Sequence, residues 1–142
     1  MTVGAIDHAA IVVRSIEDSL PRYAELFGLA AGEIHELPAQ RARVCFLPTG
    51  PAPAARLELV QPTDDDSGVA RFLAAHGEGL HHVCCSSDDL PADLAHLAAR
   101  EAELIDAAPR PGAEGQVAFV HPRTLNGVLW ELLGNPPQSR VK

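Results

Sequence analysis

The chain has 142 residues, 46% of them apolar, which suits one compact unit or two small halves sharing a core. Its formal charge of −8 argues against nucleic acid as a bulk partner, because phosphate binding wants a basic surface. No apolar run approaches the roughly 20 residues of a membrane span, and Met1-Thr2-Val3-Gly4 leads directly into a strand-like run with no sign of a signal peptide.

Residues 5–13 read as a strand. The turn Arg14-Ser15-Ile16-Glu17-Asp18-Ser19 feeds a helix over residues 20–26, with Ser15 and Asp18 both suited to cap it, Pro21 in its first turn and Gly28 as its stop. Leu20, Tyr23, Leu26 and Phe27 fall at helical spacing and predict a core stripe. Strands follow over 30–36, 43–48 and 56–61, the last two separated by a Pro/Gly-rich turn over 49–55. Residues 62–68 form a polar link. Its triplet Asp64-Asp65-Asp66 lacks the alternating ligands and glycine of a calcium loop and reads as a solvated loop and helix cap. A short helix covers 69–75.

The second half opens on a strand over 80–86. Asp88 or Asp89 caps a helix over 91–101, where Leu90, Leu94, Leu97 and Ala98 line one face and His96 lies off it. Leu104-Ile105 is a short strand, 108–115 a turn-rich loop, and 116–121 and 127–133 the last two strands. The tail from Gly134 carries two prolines and predicts fraying. Cys45, Cys84 and Cys85 sit in apolar runs with no Cys-x-x-Cys pair, which predicts buried thiols in a reducing compartment, the cytoplasm.

One arrangement is used twice. His8 opens the first half and Glu58 lies 50 residues later; His82 opens the second and Glu131 lies 49 later. Glu58 sits mid-strand between Leu57 and Leu59, and Glu131 between Trp130 and Leu132, costly places for a carboxylate unless it is paired or binds metal. Two imidazoles and two carboxylates make a mixed N/O donor set suited to Co²⁺, Zn²⁺, Mn²⁺, Fe²⁺ or Ni²⁺. The adjacent histidines His81 and His82 point to opposite faces of their strand, so only one of them can look into a cavity. His121, before Pro122, can cap a turn or approach a substrate; His35 and His76 read as surface residues.

The predicted class is α+β, a single domain over 1–142 made of module one at 5–62, a linker with a short helix at 63–79 and module two at 80–134. Two tandem βαβββ modules would form a curved mixed sheet around a metal-binding cleft. The competing architecture is one antiparallel, ferredoxin-like sheet with two helices on a face.

The stretches Ile6-Asp7-His8, Gly77-Glu78-Gly79-Leu80-His81-His82, Arg110-Pro111-Gly112-Ala113, Val117-Ala118-Phe119-Val120-His121-Pro122 and Gly127-Val128-Leu129-Trp130-Glu131-Leu132 resemble the vicinal oxygen chelate superfamily. Within it they resemble the methylmalonyl-CoA epimerases, over roughly residues 5–134. The resemblance implies a metal-dependent epimerase that interconverts (2R)- and (2S)-methylmalonyl-CoA through a metal-stabilised enolate. It implies a divalent metal, most often Co²⁺ in vitro with Zn²⁺, Mn²⁺, Ni²⁺, Fe²⁺ or Mg²⁺ as alternatives, held by His8, Glu58, His82 and Glu131, an acyl-CoA substrate and a homodimer. Some members carry Gln at the position of Glu58. Two glutamates on opposite sides of the substrate exchange the C2 proton in these enzymes, and one of them maps onto Glu131.

The other falls in a Pro-Glu-Gln-Gly or Pro-Glu-His-Gly stretch, where this chain reads Pro38-Ala39-Gln40-Arg41. Ala39 cannot transfer a proton, so either Glu36 replaces the acid after a local shift, or a water or other group does, or the scaffold is used differently. Other readings on the same scaffold are a glyoxalase-type isomerase or lyase, a dioxygenase, and a non-catalytic small-molecule-binding protein. The fourth ligand, Glu58, argues against a two-His, one-carboxylate dioxygenase. Retention of all four ligands argues against the binding protein.

Overall fold

The structure, a computed structural model, describes residues 1–134; the predicted fraying beyond Gly134 lies outside the described residues. The described residues form two compact units, one of His8–His81 and one of Met1–Asp7 with residues 82–134. Among the described residues no helix is long and apolar enough to cross a membrane.

In the His8–His81 unit, the second half of β1 (Val3–Val12) leads to α1 (Ile16–Phe27), β2 (Ile34–Leu37), a 3-10 turn over Pro38–Gln40, β3 (Ala42–Pro48), β4 (Arg56–Pro62) and α2 (Gly68–His76). The strands lie in the order β2-β3-β4-β1. β1 and β4 run parallel, and the other neighbours are antiparallel. Strand alternation divides the side chains into two sets. Cys45, Leu47 and Leu59 pack against Ile16, Leu20 and Tyr23 of α1. Ala10, Val12, Val44, Phe46 and Val60 form the opposite face, on which α2 lays Val69, Phe72 and Leu73.

The structure corrects several local expectations in this unit, among them the strand expected over 30–36, which is Ile34–Leu37. Ser15 wins the competition to cap α1: its hydroxyl accepts the Asp18 N–H at 3.1 Å, and the helix starts four residues early. Pro21 therefore lies inside the helix, not in its first turn. Leu26 and Phe27 leave the predicted core stripe and are exposed at the helix end, where Gly28 turns the chain with φ 67°. In the acidic link the capping side chain is Ser67, whose hydroxyl accepts the Ala70 N–H. Asp64 instead accepts the Ser67 N–H and pairs, with Asp66, to Arg41.

In the other unit β5 (Gly79–Ser87), α3 (Leu90–Ala99), β6 (Arg110–Pro111), β7 (Gln116–Val120) and β8 (Trp130–Gly134) follow in sequence, with strand order β5-β8-β7-β6. β5 and β8 are parallel, the rest antiparallel. Leu90 and Leu94 of α3 pack on Ala118 and Leu132, while Cys84, Val117 and Leu133 line the other face.

Here the residues expected to be a turn, 110–111, form the edge strand, where a proline is tolerated because no donor is needed on its open side. Leu104-Ile105 makes only a single bridge, Leu104 to Val120. β8 starts three residues late, because the preceding turn runs through Asn126 and Gly127 at φ 56° and 76°. On α3 Ala98 is exposed, His96 half-buried, and Asp93 takes the core position.

Asp93 is 1% exposed and fastens the start of the chain. Its carboxylate accepts the Thr2 N–H and hydroxyl at 2.8 Å each and the Ser87 hydroxyl at 2.6 Å. Burial alone would raise its pKa; the bonds from Ser87 and Thr2 and the nearby N-terminal ammonium outweigh that and hold it below the usual aspartate range. Stability from this group is thus present above its unfolded-state value and lost as pH falls through the lowered one. Asp93→Ala should cost about 2–3 kcal/mol at neutral pH, measured by urea titration, and the difference from the parent should shrink in acid.

Candidate metal centre

The same local construction builds a His–Glu pair in each unit. In the first, Ala10 is the register partner of Glu58, and His8 lies two residues earlier on the same face of β1. In the second, Cys84 is the register partner of Glu131, and His82 lies two residues earlier on the same face of β5. The imidazole Nε2 of His8 stands 3.4 Å from Glu58 Oε1, and that of His82 stands 3.4 Å from Glu131 Oε1. All four residues are buried, at 4%, 6%, 6% and 8% exposure in chain order.

These two separations suit a shared cation better than a hydrogen bond. A good N–H···O bond measures about 2.7–3.2 Å. Two ligand atoms each about 2.1 Å from one ion, subtending a right or tetrahedral angle, stand about 3.0–3.4 Å apart. The donor types, neutral imidazole nitrogen and carboxylate oxygen, are those of Zn²⁺, Co²⁺ and Mn²⁺ sites, and the burial gives each carboxylate a reason to seek a positive partner. The residues therefore fit a divalent metal.

A phenylalanine completes each pair. Phe46 is the register partner of Glu58 and meets His8 edge-on, with centroids 5.4 Å apart. Phe119 is the register partner of Glu131 and meets His82 edge-on at 5.3 Å. The rings limit how the imidazoles can turn. Sequence reading passed over both, although the signal was present: each phenylalanine stands 12 residues before its glutamate.

The remaining candidates fall elsewhere. Glu36 is exposed and donates nothing to the His8–Glu58 face. It pairs with Arg43 across β2 and β3, and Arg43 also binds Glu17 of α1, so Glu36 lies on the α1 side of its sheet. Ala39 is exposed in the middle of the 3-10 turn, which Arg41 closes at φ 54°. A left-handed residue there matches the glycine that ends the Pro-Glu-Gln-Gly pattern, which supports the register placing Ala39 at the acid's position. His81 turns from His82 and packs edge-on against Phe72, which also contacts His76. His121 is a turn residue: its Nδ1 accepts the Arg123 N–H at 3.0 Å. His35 is exposed.

A family model described as the glyoxalase/bleomycin resistance protein/dioxygenase superfamily matches residues 7–119. The chain belongs to this superfamily. That membership selects paired βαβββ modules over the ferredoxin-like alternative. Within the superfamily the chain is 39% identical over 128 residues to the uncharacterized protein YqjC of Bacillus subtilis, covering 89% of each chain. It is 31% identical over 132 residues to the mitochondrial methylmalonyl-CoA epimerase of Dictyostelium discoideum, covering 92% of this chain and 78% of that one. Among solved structures, a variant of the Streptomyces coelicolor methylmalonyl-CoA epimerase in complex with 2-nitronate-propionyl-CoA superposes with a TM-score of 0.87 at 29% identity, covering 95% of this chain and 96% of that one.

Proposed function

We propose that this superfamily member is a metal-dependent epimerase acting on methylmalonyl-CoA, with His8, Glu58, His82 and Glu131 holding one divalent ion. The observation that carries the reading is the pair of buried His–Glu constructions with equal 3.4 Å separations. Similarity to epimerases over nearly the whole chain supports the substrate class. When bound, a divalent ion supplies Lewis acidity toward the thioester and carboxylate oxygens of the substrate. Glu131 takes the C2 proton: the C–H bond breaks, its electron pair enters the enolate, and the carboxylate becomes a carboxylic acid that can return the proton. A carboxylate in its ordinary range is a weak base for such a carbon acid, so charge stabilisation carries most of the rate.

The second proton transfer has no carboxylate at Ala39. Glu36, tied to Arg43 on the α1 side, is a poor substitute, and Glu36→Gln should leave C2 exchange within about twofold of the parent. A loss of more than tenfold would return Glu36 to the mechanism.

The reading extends to cobalt as the preferred ion in vitro, a homodimer, and the cytoplasm as compartment. The three cysteines are all thiols, and burial pushes the Cys45 and Cys85 thiols up, which suits structural residues in a reducing medium. The test is metal analysis after gentle purification, followed by incubation of (2R)- or (2S)-methylmalonyl-CoA in deuterated water. Metal at about one ion per chain with deuterium entering C2 is the expected result. Stripping the ion should abolish exchange and lower the melting temperature, since a ligand at 1,000 times its Kd contributes about 4 kcal/mol to the folded state. Tightly bound metal without exchange would point to another reaction of the superfamily.

A further inference from the structure

We propose that Arg110 binds an oxyanion of the thioester substrate, either its acyl carboxylate or a phosphate of its coenzyme A; this rests on the epimerase reading above. Arg110 is the register partner of Val117 in β7, and Phe119 lies two residues further along that strand. Phe119 is in turn the register partner of Glu131. Register partners and alternate residues share a face, so Arg110 stands at the sheet edge on the side that carries Glu131 and His82. Its guanidinium carbon is 5.2 Å from the centroid of Phe119, the ring that meets His82 edge-on.

The guanidinium is held in place while its donors stay unspent. Asp106 Oδ1 lies 3.0 Å from Nε but off the axis of that N–H, so the two pair by charge and the buried N–H has no acceptor. No described residue accepts a hydrogen bond from the other guanidinium N–H groups. Asp106 also accepts the Phe119 N–H through Oδ2 at 2.9 Å, which ties Arg110 to the strand that backs His82. The carboxylate tempers the charge of Arg110 but not its donors, which favours a ligand that hydrogen-bonds the fork over a loose counter-ion. The other two cationic side chains between His82 and Gly134 are engaged elsewhere. Arg123 spends its fork on Glu103 at 2.7 and 2.9 Å, and Arg100 bonds His96 at the end of α3.

The experiment titrates the metal-loaded protein and its Arg110→Met and Arg110→Lys variants with methylmalonyl-CoA, propionyl-CoA and the methylmalonyl thioester of pantetheine, by calorimetry. Propionyl-pantetheine, which carries neither anion, is the reference and is followed by competition. A melting curve reports folding. The expected result is a loss of at least about tenfold in methylmalonyl-CoA affinity for Arg110→Met and of at least about threefold for Arg110→Lys, which keeps the charge but not the fork. Propionyl-pantetheine affinity should change by less than about threefold. A loss kept with methylmalonyl-pantetheine and absent with propionyl-CoA assigns Arg110 to the acyl carboxylate; the reverse assigns it to a phosphate; either supports the proposal. An unchanged Arg110→Met, or an equal loss with all four thioesters, overturns it. If Arg110→Met does not fold, an Arg110→Lys protein with parental affinity overturns it instead. A parent that binds none of the thioesters overturns the epimerase reading, and the proposal with it.

Discussion

Glu131→Gln should lower deuterium entry at C2 of methylmalonyl-CoA by at least about a hundredfold, because a positioned general base is worth about 10²–10⁴ in rate. The substitution keeps side-chain volume and an oxygen donor, so Phe119, whose backbone pairs with Glu131, need not move. Glu58→Gln is the matched control. It sits in the same construction, 3.4 Å from His8, but the epimerases tolerate glutamine at its position. Both variants should keep about one metal ion per chain, measured by elemental analysis, while only Glu131→Gln loses exchange. If the two variants lose exchange equally and both lose metal, Glu131 acts only as a ligand, and the base must be sought elsewhere. If neither loses exchange, the assignment of the proton transfer to this pair fails.

The contrast between these two glutamates shows what a sequence can and cannot carry. The duplicated spacing of His8 to Glu58 and His82 to Glu131 was visible because strand order within a module fixes it, and buried carboxylates among leucines are conspicuous. The alternation of faces at His81 and His82 was legible for the same reason: strand geometry leaves no choice. The edge strand at Arg110–Pro111 was not, because a two-residue strand has no periodicity and its residues are those of a turn.

Asp93 was missed because a helix position one residue from a leucine stripe normally faces water. Here it is drawn inward by Ser87 and by Thr2, 91 residues away, and no local pattern reports such a bond. Phe46 and Phe119 share one spacing, 12 residues before Glu58 and Glu131, but spacing alone does not say which residue a neighbouring strand will set beside each. Only register, a tertiary fact, turns them into supports for the histidines.

Ala39 has the largest consequence for stereochemistry. If Glu131 is the one working base, as proposed, the proton leaves and returns on the same face of the enolate, and deuterium should enter C2 at least about a hundredfold faster than configuration is lost. Following one incubation by mass for exchange and by circular dichroism or a stereospecific coupled enzyme for inversion gives both rates. Ala39→Glu should then raise inversion by at least about tenfold while leaving exchange near its parent value.

The local structure favours this gain. Ala39 is exposed at the middle of a single 3-10 turn, so a longer side chain displaces no packed neighbour. Arg41 already holds the left-handed conformation, at φ 54°, that ends the turn, and its N–H donates to the Pro38 carbonyl at 3.1 Å. A parent protein whose inversion keeps pace with exchange would show that another group delivers the second proton, and Ala39→Glu would then have nothing to restore.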